Sequence, residues 1–228
     1  MGFDLSSGAL GAGRTFSQPQ PLPFVVKKQD GTELSNIVSI STGYNFTAAL
    51  AGDGTVWAWG SNARGQLGQD ALTSSAVPYA VQVKAPRGQA GLLTNIVMVT
   101  AGGQHAIALD ASRKAWAWGS NQSGELGDGP NQEGGEFSTL PRAVVNETAS
   151  GQLGGIISVA ATNKTSLALR ADGVVLAWGD NFYKELGRGN MNSPGSPRIP
   201  APVRNLADDG PLKLSSLEGY SNLTRRAR

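Results

Sequence analysis

One recurrence governs this amino-acid sequence. The stretch VWAWGSNARGQLG at 56–68 returns as AWAWGSNQSGELG at 115–127 and as VLAWGDNFYKELG at 175–187, and a degenerate tail, SGALG, stands at 7–11. Gly11, Gly68, Gly127 and Gly187 close the four copies at intervals of 57, 59 and 60 residues. A near-constant period of this size means one supersecondary unit repeated, each copy burying its apolar face against the next. Every interval carries the same landmarks in the same order. A variable loop is followed by a Pro ahead of β-branched residues (Pro23, Pro78, Pro141, Pro202), then by a second variable loop. A short apolar run comes next, at 37–40, 96–99, 156–159 and weakly 212–214, and a strand pair leads into the following motif.

The strand pair identifies the secondary structure. Two apolar runs flank Asp53-Gly54 in the first unit and Asp172-Gly173 in the third, and Asp-Gly between such runs marks a tight hairpin that needs positive φ. The second unit has Ser112-Arg113 there, so its turn is expected to differ or to be strained. The runs are short and rich in Val, Ile, Ala and Trp, and helical periodicity is absent. Abundant Gly, 31 of 228 residues, with only 16% charged residues fits strands joined by turns. The sequence reads as all-β: four-stranded antiparallel sheets stacked face to face as propeller blades, three full repeats with a partial repeat at each end. The whole of 1–228 reads as a single domain or segment of that kind, with the last partial repeat over 188–228.

Within the motif, Trp59, Trp118 and Trp178 would supply flat surface between neighbouring sheets. Gly60, Gly119 and Gly179 would allow close backbone approach or a turn. Asn62, Asn121 and Asn181 sit where a short amide can bond the loop backbone. Leu67, Leu126 and Leu186, ahead of Gly68, Gly127 and Gly187, would fold the loop back on the core. Gly65 and Gly124 are expected at positive φ, and Lys184 in that slot of the third copy is expected to alter its turn.

The pattern apolar-x-WG-[SD]-N-x-x-G-x-L-G, preceded by a DG hairpin and the Gly102-Gly103-Gln104-His105 stretch, resembles the regulator of chromosome condensation repeat family over nearly the whole chain. The wording DGTVWAWGSN is similar to bacterial members. The resemblance implies a β-propeller, commonly seven-bladed, so this chain is expected to be part of a larger ring or a small ring of about four blades. It implies a protein-interaction scaffold. It also leaves open guanine-nucleotide exchange on a small GTPase, as the founding member acts on Ran, and a secreted inhibitor-like propeller. No exchange loop is matched by residues here, so no catalytic residue is carried over.

Catalysis is not legible. His105 is the only His, and its aligned positions are Phe46 and Thr165, a pattern of packing rather than chemistry. With one His and no Cys, neither a catalytic triad nor a zinc site is expected, and no cofactor or metal. Asp128, Glu133, Glu136, Asp208 and Asp209 lack calcium-loop spacing and read as solvated loop charges. A net charge of +2 is too weak a field to recruit a nucleic-acid backbone. No apolar run reaches the roughly 18–20 residues that span a bilayer, and no signal peptide is legible, which leaves the compartment undecided.

Function is therefore expected in the loops that do not repeat. One slot holds 27–36, 84–95 and 146–155; the other holds 69–77, 128–140 and 188–201. Lys84 and Arg87 set against Glu133 and Glu136 would give adjacent blades opposite charge for an unidentified protein partner. Trp57 and Trp116 alternate with the motif Trp and would serve as interface anchors. An incomplete ring would leave faces that favour self-association.

Overall fold

A computed structural model describes residues 7–18, 20, 22–130, 135–189, 197–205, 207 and 210–214. Glu133, Asp208, Asp209 and the Gly219-Tyr220 of the last partial repeat lie outside them. The described residues form twelve strands in three antiparallel sheets, each wound up and down in sequence order. The first holds β1 (Ile37–Thr42), β2 (Phe46–Ala51), β3 (Val56–Asn62) and β4 (Thr73–Gln82). The second holds β5 (Ile96–Ala101), β6 (His105–Asp110), β7 (Ala115–Ser120) and β8 (Phe137–Ala143). The third holds β9 (Ile156–Ala161), β10 (Thr165–Arg170), β11 (Val175–Gly179) and β12 (Ala201–Pro202).

The register is the same in all three. Thr47 pairs Trp59, Ala106 pairs Trp118 and Ser166 pairs Trp178, while Phe46, His105 and Thr165 face Gly60, Gly119 and Gly179. A Cβ on any of those three glycines would run into the carbonyl of Asn45, Gln104 or Lys164. The inner strand pair carries an irregularity at the same place each time, at Ile37/Ser39, Ile96/Met98 and Leu169/Arg170.

The outer strands do not keep this register. Gln82 pairs Trp57, Ala143 pairs Trp116 and Pro202 pairs Leu176, so Pro78, Pro141 and Pro202 occupy different positions. Proline is tolerated on an edge strand because no ladder donor is needed there, and that freedom makes it a poor landmark. The repeating feature is the valine just beyond. The carbonyls of Val26, Val83, Val144 and Val203 accept the N–H of Leu34, Leu93, Leu153 and Leu212 at 2.9, 2.9, 2.7 and 2.6 Å.

The core lies between the sheets. Phe46, Leu50, Val56 and Leu67 of the first unit pack with Ile96, Val99, Ala106 and Trp118 of the second. Ile107, Leu109 and Leu126 pack in turn with Ile156, Val159, Leu176 and Trp178 of the third. Alanine-dense inner strands bring the sheets close enough for the indoles to fill the gap. Each indole buries roughly 150–250 Å², worth about 4–6 kcal/mol at the usual area coefficient. The outward sides of the stack are only partly covered among the described residues, the first by the 7–34 segment that packs Val26 and Leu34 against Ala49 and Trp59. Ile40 is 66% exposed where its counterparts Val99 and Val159 are 4% and 6%. Leu167 and Leu169 are half-buried where Ile107 and Leu109 are buried. Closure into a small ring is not seen among these residues.

Two turns depart from expectation in the same way. Arg113 takes φ 63 in the slot of Gly54 (80) and Gly173 (86), and all three make the same turn bond, N–H to Ala51, Asp110 or Arg170 O at 2.9–3.0 Å. The second hairpin is therefore not different but strained, with the strain borne by Arg113. Asp110 offsets it by accepting from Ser112 N, Lys114 N and Trp116 Nε1. Likewise Lys184, at φ 65, adopts the turn of Gly65 (78) and Gly124 (79) with its bond to Asn181 O at 3.2 Å. The third motif turn is unaltered; its residue carries the cost.

Candidate partner-binding surfaces

Inside the motif, the Asn side chain holds the loop from within. Leu67, Leu126 and Leu186 N–H donate to Asn62, Asn121 and Asn181 Oδ1 at 3.1, 3.2 and 3.3 Å. The loop so fixed presents one backbone carbonyl to the following sheet. Trp59 Nε1 donates to Ala9 O at 2.8 Å, Trp118 Nε1 to Gln66 O at 3.0 Å and Trp178 Nε1 to Glu125 O at 2.9 Å. The motif is thus a latch between neighbouring sheets, and its Trp, Asn, Leu and Gly are consumed by packing.

Side chains add to the latch at the second junction. His105 Nε2 lies 2.9 Å from Ser166 Oγ, which itself donates to the Glu125 carbonyl at 2.8 Å. The hydroxyl proton is spent there, so the imidazole donates through Nε2 and carries no proton on Nδ1, which has no partner among the described residues. Complete burial pushes the His105 pKa down to about 4. Asp128, expected to be a solvated loop charge, is instead 1% exposed. It accepts from Asn121 Nδ2 at 3.0 and 3.1 Å and faces Arg142 Nη1 at 3.3 Å and Arg198 Nη1, from the segment leading to β12, at 3.5 Å. The loop after Gly127 folds under the outer strand, and two guanidiniums follow the carboxylate in. An Arg at 142, paired with Ala117 where Val81 pairs with Ala58, was the sequence signal for this buried partner.

Among the described residues the expected loop charges Lys84, Arg87 and Glu136 are not brought together. Lys84 and Arg87 are exposed beyond the end of β4 that pairs with Trp57. Glu136 precedes β8 beside Ser120, at the opposite end of its sheet. It is engaged with Arg64 at 3.5 Å and Gln122 at 3.2 Å. Trp57 and Trp116 are half-buried. Trp57 packs with Trp59 and Ala80 beneath Lys28, and Trp116 packs on the first inter-sheet core while its N–H is used by Asp110.

What the fold does display is a row of hairpin tips. Lys28 N bonds Thr32 O, Ala85 N bonds Gly91 O, Asn146 N bonds Gly151 O and Asn205 N bonds Gly210 O, at 2.8, 3.0, 2.7 and 3.0 Å. The exits of the first three are tied to the β2–β3, β6–β7 and β10–β11 turns through Gly52 N to Asn36 O, Ala111 N to Asn95 O and Ala171 N to Gly155 O. These three therefore stand at the hairpin-turn end of the stack, with one backbone closure and unlike sequences: KQDGT, APRGQAG and NETASG. No group of three or more His, Cys, Asp or Glu that could hold a metal occurs among the described residues. Among the described residues no helix is long and apolar enough to cross a membrane.

Three stacked four-stranded sheets with a shared latch define a β-propeller assembly of repeats. The model for the regulator of chromosome condensation (RCC1) repeat matches residues 53–109 and 114–169, and a second model of the same description matches 37–66, 96–125 and 156–185. These matches span more than half of the chain, which belongs to the RCC1-repeat family. The chain is similar to the E3 ubiquitin-protein ligase HERC2 of Mus musculus, 27% identical over 84% of this chain and 4% of that protein. It is similar to protein pim1 of Schizosaccharomyces pombe, 36% identical over 50% of this chain and 22% of that protein. Among solved structures it resembles human WBSCR16, with TM-score 0.64 and 18% identity over 86% of this chain and 45% of that one. It resembles Prp20p of Saccharomyces cerevisiae, with TM-score 0.62 and 20% identity over 85% and 48%, a protein characterised for its binding to Gsp1p and histones. The chain spans less than half the length of each of these proteins.

Proposed function

We propose that this chain acts as a non-catalytic protein-interaction scaffold that contacts its partner through the hairpin tips at 28–32, 85–91 and 146–151. The observation that carries this reading is the division of labour. The recurring polar groups of the motif are spent on the fold, the Trp N–H between sheets and the Asn amide within its own loop, whereas the tips share only a backbone closure and vary freely in sequence. Sequence freedom on a rigid support is what recognition loops require. Lys84 and Arg87 make the second tip basic, and Glu147 on the third is already engaged by Arg170. The likeness to Prp20p, characterised with Gsp1p and histones, supports a protein as the partner class.

The test is site-specific photo-crosslinking in the full chain. A crosslinker in place of Arg87 or Thr148 is expected to capture one protein species that a crosslinker at Ala63, on the motif-turn end, does not. Capture confined to Ala63 would refute the assignment to the tips. The Prp20p likeness also favours a second reading, guanine-nucleotide exchange on a small GTPase. Accelerated release of labelled guanine nucleotide by the purified chain would replace the plain scaffold with that activity.

A further inference from the structure

The three hairpin turns at the tip end share a backbone and differ in charge. In the first and third units an Asp stands outward in the turn and accepts from the N–H two residues on. Asp53 Oδ1 takes Thr55 N at 2.9 Å, and Asp172 Oδ1 takes Val174 N at 3.2 Å. The second unit has Ser112 in that slot. There Asp110, at the base of the turn, does the capping. One of its oxygens accepts from Ser112 N at 2.9 Å and Lys114 N at 3.0 Å, and the other from Trp116 Nε1 at 2.9 Å. The carboxylate is thus moved inward and occupied, and the turn presents Ser112, Arg113 and Lys114, all exposed.

Arg113 holds the left-handed slot that is glycine in the other two units, at φ 63 against 80 and 86. Its backbone bonds, N–H to Asp110 O and C=O from Ile156 N, are ones that glycine makes equally well. Among the described residues nothing pairs with its guanidinium. A side chain held at a strained backbone position, without a contact inside the fold, points to a contact outside it. Three more cations share this sector. The exit of the second tip is bonded to the turn, Ala111 N to Asn95 O at 2.8 Å, which brings the tip carrying Lys84 and Arg87 to the side of Arg113 and Lys114. All four are exposed, and none is paired with a carboxylate among the described residues. In the neighbouring units the cations of this end are matched: Lys27 with Glu33 at 3.2 Å, and Arg170 with Glu147 and, at 2.9 Å, with Asp172.

We propose that this sector binds a short acidic segment of a polypeptide partner, with Arg113 clamping one carboxylate and Lys84, Arg87 and Lys114 drawing in those that flank it. The proposal rests on the reading that the tip end faces the partner, and it supplies that partner's chemistry. A guanidinium offers paired N–H donors matched to a carboxylate, which a lysine in the same place would not. A nucleic-acid strand fits less well. Its phosphates would run on from the sector against Asp53 on one side and Glu147 and Asp172 on the other, and no exposed aromatic ring of the sector is there for a base to stack on.

The test titrates fluorescein-labelled hexaglutamate with the full chain and reads fluorescence anisotropy. Saturable binding is expected at about 50 mM salt, weakened at least about threefold at about 300 mM. Arg113→Gly should weaken it at least about fivefold, the loss of one charge-assisted contact. That variant restores the residue of the other two turns, and urea unfolding of the same sample should show it no less stable, so the loss is not one of folding. A role confined to the turn would leave binding unchanged. Lys164→Gln, which removes one exposed charge beside Asp180 at the motif-turn end, should stay within about twofold. The absence of saturable binding, equal binding by Arg113→Gly, an equal loss with Lys164→Gln, or tighter Arg113-dependent binding of a thymidine oligonucleotide would each overturn the proposal. Crosslinking decides the tip assignment separately: capture at Thr148 alongside unchanged binding by Arg113→Gly would overturn this site and leave the scaffold reading standing.

Discussion

The buried histidine makes the second junction sensitive to acid. His105 occupies the slot filled by Phe46 one sheet earlier, and Ser166 the slot filled by Ala106. The first junction meets Phe46 with Ala106 in an apolar cluster, and the second meets His105 with Ser166 through a hydrogen bond. Protonation would place a charge and a second N–H at Nδ1, where no acceptor stands among the described residues. Folding therefore selects the neutral ring and lowers its pKa from the ordinary 6.5 to about 4.

The folded state binds fewer protons than the unfolded state between these values. This contribution to stability is complete above the unfolded pKa and is lost as pH falls through the folded one. The loss is about 2 kcal/mol near pH 5 and about 3 kcal/mol below both values. Urea unfolding across this range should therefore separate the chain from its His105→Phe, Ser166→Ala variant, which copies the first junction. The difference in unfolding free energy should move toward the variant by about 2 kcal/mol from neutrality to pH 5. Glu125, whose carboxyl is raised by burial, acts in the opposite direction, gaining stability as pH falls. It is present in both proteins and drops out of the difference. Parallel pH profiles for the two proteins would refute the reasoning.

Two further substitutions test how strain and buried charge are distributed. Arg113→Gly removes the left-handed cost from the second hairpin and should raise the unfolding free energy by about 1 kcal/mol, read in urea at neutral pH. Asp128→Ala strips the counter-charge from Arg142 and Arg198 and one partner from Asn121. It should lower stability by about 2–3 kcal/mol in the same assay, below the cost of a fully buried pair because both guanidiniums keep some solvent.

What was legible in the sequence was whatever packing forces to recur. Trp-Gly, the Asn of the turn and the Leu-Gly that follows repeat because each fills one steric slot at each junction, and the alternation of β3, β7 and β11 fixes their register. The acceptor of each indole was not legible. It is a main-chain carbonyl, offered equally well by Ala9, Gln66 and Glu125, so side-chain identity carries no trace of it. The prolines misled for a related reason, since an edge strand tolerates them at several registers while the buried valine repeats in silence. Arg113 and Lys184 looked like altered turns. Bonds on either side of each turn hold the backbone in place, and an outward side chain lets a non-glycine residue take the strained φ.

Each matched repeat at 53–109 and 114–169 begins near one hairpin turn and ends near the next, so it spans the outer half of one sheet and the inner half of the following one. The sequence repeat is therefore a unit of junction, covalently tying neighbours, rather than a unit of sheet. At each junction the indole–carbonyl latch is common and supplies attachment. The side-chain pair is particular: Phe46 with Ala106, then His105 with Ser166. A His105-type edge set against an Ala106-type edge would leave buried Nε2–H without an acceptor, at a cost of about 1–3 kcal/mol. Order among otherwise similar sheets is thus written in these pairs. At the outward third face the deciding residue is Thr165, 6% exposed with its hydroxyl turned to Asp180 O at 3.4 Å. Its small side chain, already hydrogen-bonded within its own sheet, makes no polar demand on what comes next.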